Sequence, residues 1–234
     1  MHNPANLSSA LIALFPAGAV VAELQVPGDP ALLLPAERAH LGRSVSKRVQ
    51  EFTAGRLCAR RALQEFGITD FAVRVAADRQ PIWPAHMCGS ITHTMGFCAA
   101  VVAPRNSLLS VGIDSEMVGQ VKPDIWSSIC LPSELAWLGS LRPPDRAAAA
   151  TLIFSAKEAF YKCQYPLIRR TMGFHEVNIE PREWGARLGS FGVCETRSIE
   201  LSTRVLLPMG GSYVFHDDYV TTGIGLIATD EKPQ

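Results

Sequence analysis

The chain has 234 residues, 47% of them hydrophobic and 19% charged, and its 22 basic and 22 acidic residues cancel to a formal net charge of zero. That composition excludes a disordered chain, and the charge balance argues against bulk nucleic-acid binding. Any site for an anionic ligand must come from local clustering.

Leu7 to Ala22 is apolar, but no basic region precedes it, Pro16 and Gly18 interrupt it, and it is too short to span a membrane. A short N-terminal element followed by a strand at Ala19 to Val26 is expected, and no later segment reads as transmembrane. Pro27-Gly28-Asp29-Pro30 reads as a turn. Helical periodicity runs from Lys47 to Phe66, with Val45, Val49, Phe52 and Arg56 on one face and Gly67 as the stop. A strand is expected at Ala72 to Ala76, then a charged turn at Asp78-Arg79. Pro81-Ile82-Trp83-Pro84 cannot be helical. Gly89 to Thr94 reads as a polar loop and Phe97 to Val102 as an apolar strand.

In the second half, Leu108 to Glu116 reads as a strand. Ile125 to Leu141 reads as helix, broken at Pro132, with Ser133 as N-cap. Pro143-Pro144-Asp145 reads as a loop, and Arg146 to Tyr165 as a long helix ended by Pro166. Strands are expected at Val177–Ile179, Gly192–Glu195, Ile199–Leu201, Ser212–His216 and Gly223–Ala228. The pattern predicts an α+β fold of two halves, 1–109 and 110–234. No repeat between the halves is evident in this reading. None of the six cysteines shows zinc-ligand spacing, so free and mostly buried thiols in a reducing cytoplasm are expected.

Val111-Gly112-Ile113-Asp114-Ser115-Glu116 is the sharpest local feature. On a strand, Asp114 and Glu116 point to one face, and two carboxylates that close call for a cation or a shared proton. Oxygen-only ligands suit Mg2+. An exposed acidic strand end would look the same. Glu158 and Lys162 share a face of the long helix, within Phe154-Ser155-Ala156-Lys157-Glu158-Ala159-Phe160-Tyr161-Lys162. Alone they could be an ordinary helix salt bridge. In a helix otherwise apolar, the charges need partners, and a metal–phosphate site would supply them, with Lys157 and Lys162 on phosphate. Arg48, Arg56, Arg60 and Arg61 could be a solvated basic face or a phosphate-reading one, with Arg79 joining them. Ser90, Thr92 and His93 could hold phosphate oxygens, although a lone histidine is more often a structural hydrogen-bonder.

Taken in order, R-V-Q-E-F-T-A-G-R-L-C-A-R-R-A-L from Arg48, D-R-Q-P-I-W-P, G-S-I-T-H-T, V-G-I-D-S-E and F-S-A-K-E-A-F-Y-K resemble the 4'-phosphopantetheinyl transferases over residues 38 to 170. Within them the chain looks most like the larger, surfactin-type class, in particular enterobactin synthase component D. The resemblance implies two pseudo-symmetric α+β subdomains with coenzyme A in the cleft between them. It implies a Mg2+ site at Asp114, Glu116 and Glu158, with Glu158 also in the position of a general base. It places Lys162 on the pyrophosphate, His93 with Ser90 and Thr92 at the phosphates, and Arg48, Arg56 and Arg79 around the adenosine 3'-phosphate. It further implies an apo carrier protein as acceptor, a monomeric state, and a link to siderophore or other nonribosomal peptide synthesis. Other readings are a non-catalytic coenzyme A-binding protein on the same fold, a Mg2+-dependent phosphohydrolase and a scaffold subunit. The apolar segment Met117 to Leu138 is read either as a carrier-docking surface or as a plain buried helix.

Overall fold

The computed structural model describes residues 4–25, 27–42, 45–195 and 210–228. The first half comprises α1 (Pro4–Ile12), β1 (Val20–Leu24), α2 (Pro35–Arg38), α3 (Ser46–Gln64), β2 (Met87–Thr94) and β3 (Phe97–Pro104). The second comprises β4 (Leu108–Met117), α4 (Trp126–Ile129), α5 (Pro132–Ser140), α6 (Pro143–Ile168), β5 (Val177–Pro181), β6 (Leu188–Glu195), β7 (Gly210–His216) and β8 (Tyr219–Ile227). Two antiparallel sheets result, one in the order β1-β3-β2 and one in the order β4-β8-β7-β6-β5. The fold is α+β, as the pattern predicts.

The two halves repeat one plan. In each, a first strand pairs with the last strand of a terminal hairpin, β1 with β3 and β4 with β8. In each, a short helix and then a long helix follow the first strand. The repeat is written in the sequence, contrary to the expectation above: Leu34-Pro35-Ala36-Glu37 recurs as Leu131-Pro132-Ser133-Glu134. Proline opens each short helix, where its missing N–H costs nothing.

The glutamate three residues after each leucine turns back to accept from its backbone N–H, at 3.0 Å for Leu34 and 2.7 Å for Leu131. Each then meets a cation 23 residues on, Arg60 at 2.6 Å from Glu37 and Lys157 at 2.7 Å from Glu134. The other carboxylate oxygen takes a backbone N–H further along, from Val73 and from Ile179. Even the cations' second bonds correspond, to the carbonyls of Leu32 and Ile129. Both glutamates are buried, and every carboxylate oxygen is used, so each knits three segments of its half together.

Lys157 was expected at a phosphate. Its ammonium instead donates to Glu134, to the Ile129 carbonyl and to the Phe174 carbonyl at 2.8 Å, which takes all three of its hydrogens. With side chains only 2% and 1% exposed, the pair is a buried one. Lys157→Met should therefore destabilise the fold by about 3–5 kcal/mol, because Glu134 is left charged and buried. Adding Glu134→Gln should recover part of that loss; urea melts of the three chains check both statements. Arg60 is likewise a structural partner and not part of a free basic face.

Several local expectations are corrected. Gly89 to Thr94 is strand β2, not a loop, because its residues pair in register with β3 from Thr94↔Phe97 to Met87↔Pro104. Ala72 to Ala76 forms only one isolated bridge, Val75 to Pro81. Leu131, not Ser133, caps α5, and the Ser133 hydroxyl donates to Asn178 instead. Pro143 and Pro144 open α6 rather than preceding it. Pro166 lies inside α6, which ends at Arg169 in the left-handed region. The strand expected at Ile199–Leu201 falls outside the described residues.

Three apolar clusters fill the interior. One packs α3 on the inner side of the first sheet through Ala59, Ala62, Leu63, Ala100 and Val102. A second packs α6 on the second sheet through Ile153, Ala156, Phe160, Val220 and Ile224. The third joins the halves: Leu7, Leu11 and Leu14 sit with Val101 and Phe97 of the first sheet and Val111, Ile113 and Val214 of the second. Trp126, Ile129, Leu135 and Leu138 belong to the α6 cluster, which favours the buried-helix reading of that segment. All six cysteines are free thiols, five of them buried. Among the described residues no helix is long and apolar enough to cross a membrane.

Candidate active site

The site forms where α6 crosses β4, and one glycine permits the crossing. A Cβ on Gly112 would overlap the carbonyl oxygen of Ala159 and lie 2.8 Å from the backbone nitrogen of Cys163. Only a residue with no side chain lets the helix backbone lie on the strand here. The Ser110 hydroxyl donates to the Cys163 carbonyl at 2.6 Å and fixes the register. Gly112, Asp114 and Glu116 share one face of β4, so the crossing sets Glu158 and Lys162 of α6 beside both strand carboxylates.

The Lys162 ammonium donates to Asp114 Oδ1 at 2.7 Å and to the Ile113 carbonyl at 3.2 Å. Asp114 is only 4% exposed, and its Oδ2 is buried with no hydrogen-bond partner. Burial, and then the Asp114 charge, push the Glu116 carboxyl up to about 7, with Glu158 adding to the shift and Lys162 opposing it. Glu158 is raised for the same reasons, first by burial and then by Asp114. Lys162 thus pairs with Asp114 alone and only opposes the upward shifts of Glu116 and Glu158.

β2 completes the cluster. The Ile113 N–H donates to the Ser90 hydroxyl at 3.2 Å, and the Ser115 N–H donates to Thr92 Oγ1 at 2.9 Å. Thr92 Oγ1 in turn donates to Asp114 Oδ1 at 3.4 Å. Thr92 is buried and committed to β4, so it positions Asp114 and has no hydroxyl hydrogen left for a phosphate. Ser115 points to the other side of its strand, where its hydroxyl shares a 2.8 Å hydrogen bond with Thr221. Thr221 bonds the His216 ring at 2.7 Å, and burial holds that imidazole down to about 4, hence neutral. Ser115 therefore belongs to an internal polar chain and not to the carboxylate cluster.

Lys162 and Ser90 also line a cleft of about 530 Å³ between the halves. The first half lines it with Arg56, Arg79, Trp83, Ser90, His93 and Arg105, and the second with Tyr161, Lys162, Tyr165 and Arg169. Arg56 is buried, its Nε donating to the Val73 carbonyl at 3.0 Å and its guanidinium 4.0 Å from the Phe52 ring centroid. Burial pushes it down to about 10, still cationic at neutral pH. His93 is lowered, first by desolvation, with Lys162 and Arg48 adding and Glu51 and Asp114 opposing. Arg48 is exposed at the start of α3 and is not among the cleft-lining residues. Tyr161 also borders a second cavity of about 260 Å³, which reaches Glu158, Met172 and Phe174.

The expected site residues thus separate. Asp114, Glu116, Glu158 and Lys162 come together, and Lys162, His93, Ser90, Arg56 and Arg79 face one basic cleft. Lys157 and Thr92 serve structural bonds. Arg105, Arg169, Tyr161 and Tyr165 also line the cleft, although the sequence reading gave them no role.

The matching family models fall on either side of the start of β4. The 4'-phosphopantetheinyl transferase N-terminal domain matches residues 36–103, and the 4'-phosphopantetheinyl transferase superfamily matches residues 110–222. Among curated proteins, 4'-phosphopantetheinyl transferase Svp of Streptomyces mobaraensis is 39% identical over 174 residues, which is 72% of this chain and 70% of Svp. The transferase Npt of Nocardia iowensis is 38% identical, over 71% of this chain and 74% of its own. Enterobactin synthase component D of Escherichia coli (strain K12) is 34% identical, over 62% and 66%. With each half matched by a model of the family and with Svp and Npt similar over most of its length, the chain belongs to the 4'-phosphopantetheinyl transferase family.

Proposed function

We propose that this transferase moves the phosphopantetheine arm of coenzyme A to a serine of an apo carrier protein, and that residues 1–109 and 110–234 act as its two subdomains. The observation that carries the reading is the unpartnered, buried Asp114 Oδ2 beside two carboxylates raised above their ordinary range, joined through Lys162 to a cationic cleft. Such a cluster is costly unless a further cation joins it.

The donor set is all oxygen, which fits Mg2+. Among the described residues no group of three or more His, Cys, Asp or Glu side chains is arranged to hold a metal ion as it stands, and Lys162 occupies Asp114 Oδ1. Asp114 Oδ2, Glu116 and Glu158 would hold Mg2+, whose charge would offset that of the pyrophosphate. In the reaction the serine oxygen forms a bond to the β-phosphorus while the bond from that phosphorus to the bridging oxygen breaks, and adenosine 3',5'-bisphosphate leaves. Lys162 takes the charge growing on that bridging oxygen. Glu158 accepts the serine proton, directly or through water; burial and the Asp114 charge raise its pKa, which favours proton uptake. Arg56, Arg79, His93 and Ser90 hold the donor's phosphates along the cleft.

We take it as a surfactin-type enzyme and a cytoplasmic monomer that acts on peptidyl carriers of siderophore or related synthases; similarity to enterobactin synthase component D supports the link to a synthase. Intact-mass spectrometry of apo carrier proteins incubated with coenzyme A and Mg2+ tests the proposal. A gain of one phosphopantetheine, lost with EDTA, is expected. No gain on acyl, polyketide and peptidyl carriers despite coenzyme A binding would favour a non-catalytic binding protein.

A further inference from the structure

Arg79 (φ 70°) and Arg169 (φ 53°) both adopt the left-handed backbone region without being glycine, and both line the cleft, one from each half. Arg169 ends α6, at a position where helices most often place glycine. Strain of this kind persists only where the surrounding structure holds it. From there its guanidinium donates to Asp78 Oδ2 at 2.7 Å, across the cleft, and lies 6.0 Å from the Tyr165 ring centroid. Asp78 is the one acidic side chain among the described residues lining the cleft. Gln80 holds it independently, through its side-chain amide at 2.6 Å and its backbone N–H at 3.3 Å.

Stability does not explain the pair. Its side chains are 61% and 32% exposed, and ion pairs so open to water contribute little to folding. A pair that weak is easily exchanged. A phosphate carries more charge than a carboxylate and matches the planar guanidinium fork equally well. Because Gln80 still satisfies Asp78 when Arg169 leaves, the exchange strands no polar group.

Building on the reading that the cleft takes coenzyme A, we propose that Arg169 is a donor-binding residue: Asp78 holds it over the cleft until a phosphate of the donor displaces the carboxylate. Asp78 is then a competitor of the ligand, not a part of its site.

The two side chains therefore have opposite effects on affinity, which a structural clasp cannot produce. Coenzyme A titrations by calorimetry, at low and at high salt, read this out. Arg169→Gln should weaken binding about 10-fold at low salt, and less at high salt. Asp78→Asn should tighten it about 3-fold, since it removes both a competitor and a negative charge. In the Arg169→Gln chain, Asp78→Asn should have a smaller effect than it has alone. Weakening by both single variants would make the pair a clasp and overturn the proposal, as would no change in either. If the unaltered chain binds no coenzyme A, the reading of the cleft fails and this inference with it. Binding with same-sign variants sinks the inference alone.

Discussion

Glu158→Ala is expected to lower turnover about 10³-fold while leaving the fold intact or slightly more stable. The reasoning is electrostatic. Glu158 is half-buried beside Asp114 and Glu116, and its own pKa is raised because its charge is unwelcome there. Removing it relieves repulsion within the cluster, so the thermal midpoint should hold or rise by a few degrees. A residue retained for folding behaves in the opposite way. Glu158→Gln separates charge from shape: if the carboxylate serves as base or cation ligand, the amide should be nearly as inactive as alanine. Single-turnover transfer to an apo carrier, with thermal melts of the same preparations, measures both quantities. Near-normal turnover in Glu158→Ala would remove Glu158 from the chemistry.

Gly112→Ala should be the most damaging single methyl in the protein. The added carbon meets helix backbone at Ala159 and Cys163, and backbone cannot rotate away as a side chain can. The helix must lift from β4, which breaks the Ser110 bond to Cys163 and draws Lys162 from Asp114. A loss of about 3 kcal/mol or more is expected, with turnover falling in the fraction that still folds. Gly139 in α5 is the control: a Cβ there meets nothing within 4 Å. Gly139→Ala should leave activity unchanged and stabilise the chain by up to about 1 kcal/mol, the helix preference of alanine over glycine. Urea denaturation of the two variants tests the contrast. Equal stabilities would show that α6 does not depend on Gly112.

Much of the site was legible because its chemistry is local. Asp114 and Glu116 sit two apart on a strand, and Glu158 and Lys162 sit four apart on a helix, so each pair declares its shared face. That the two pairs meet is a tertiary fact, set by Gly112. Lys157 shows the limit of proximity in sequence. It is adjacent to Glu158, yet a single helical step turns it toward Glu134, a residue 23 positions earlier. Ser90, Thr92 and His93 looked like loop residues because their small polar side chains hide strand alternation. Paired with the wholly apolar β3, they form a strand whose hydroxyls have partners on β4. Arg169 could not be assigned from sequence at all, since helix continuation through Pro166 is what carries it to the cleft. The Leu-Pro-x-Glu repeat was legible and was missed, because each copy alone reads as an ordinary helix start.

The meeting of β2 and β4 has a bearing on how this chain behaves in company. Each is the outermost strand of its sheet, and an outermost strand offers unpaired N–H groups to any other extended chain that drifts by. Here the N–H groups of Ile113 and Ser115 are occupied by the hydroxyls of Ser90 and Thr92. The same two side chains that brace β4 beside the carboxylates therefore also shut a doorway to strand-by-strand aggregation, since a second copy would find those two N–H groups already taken.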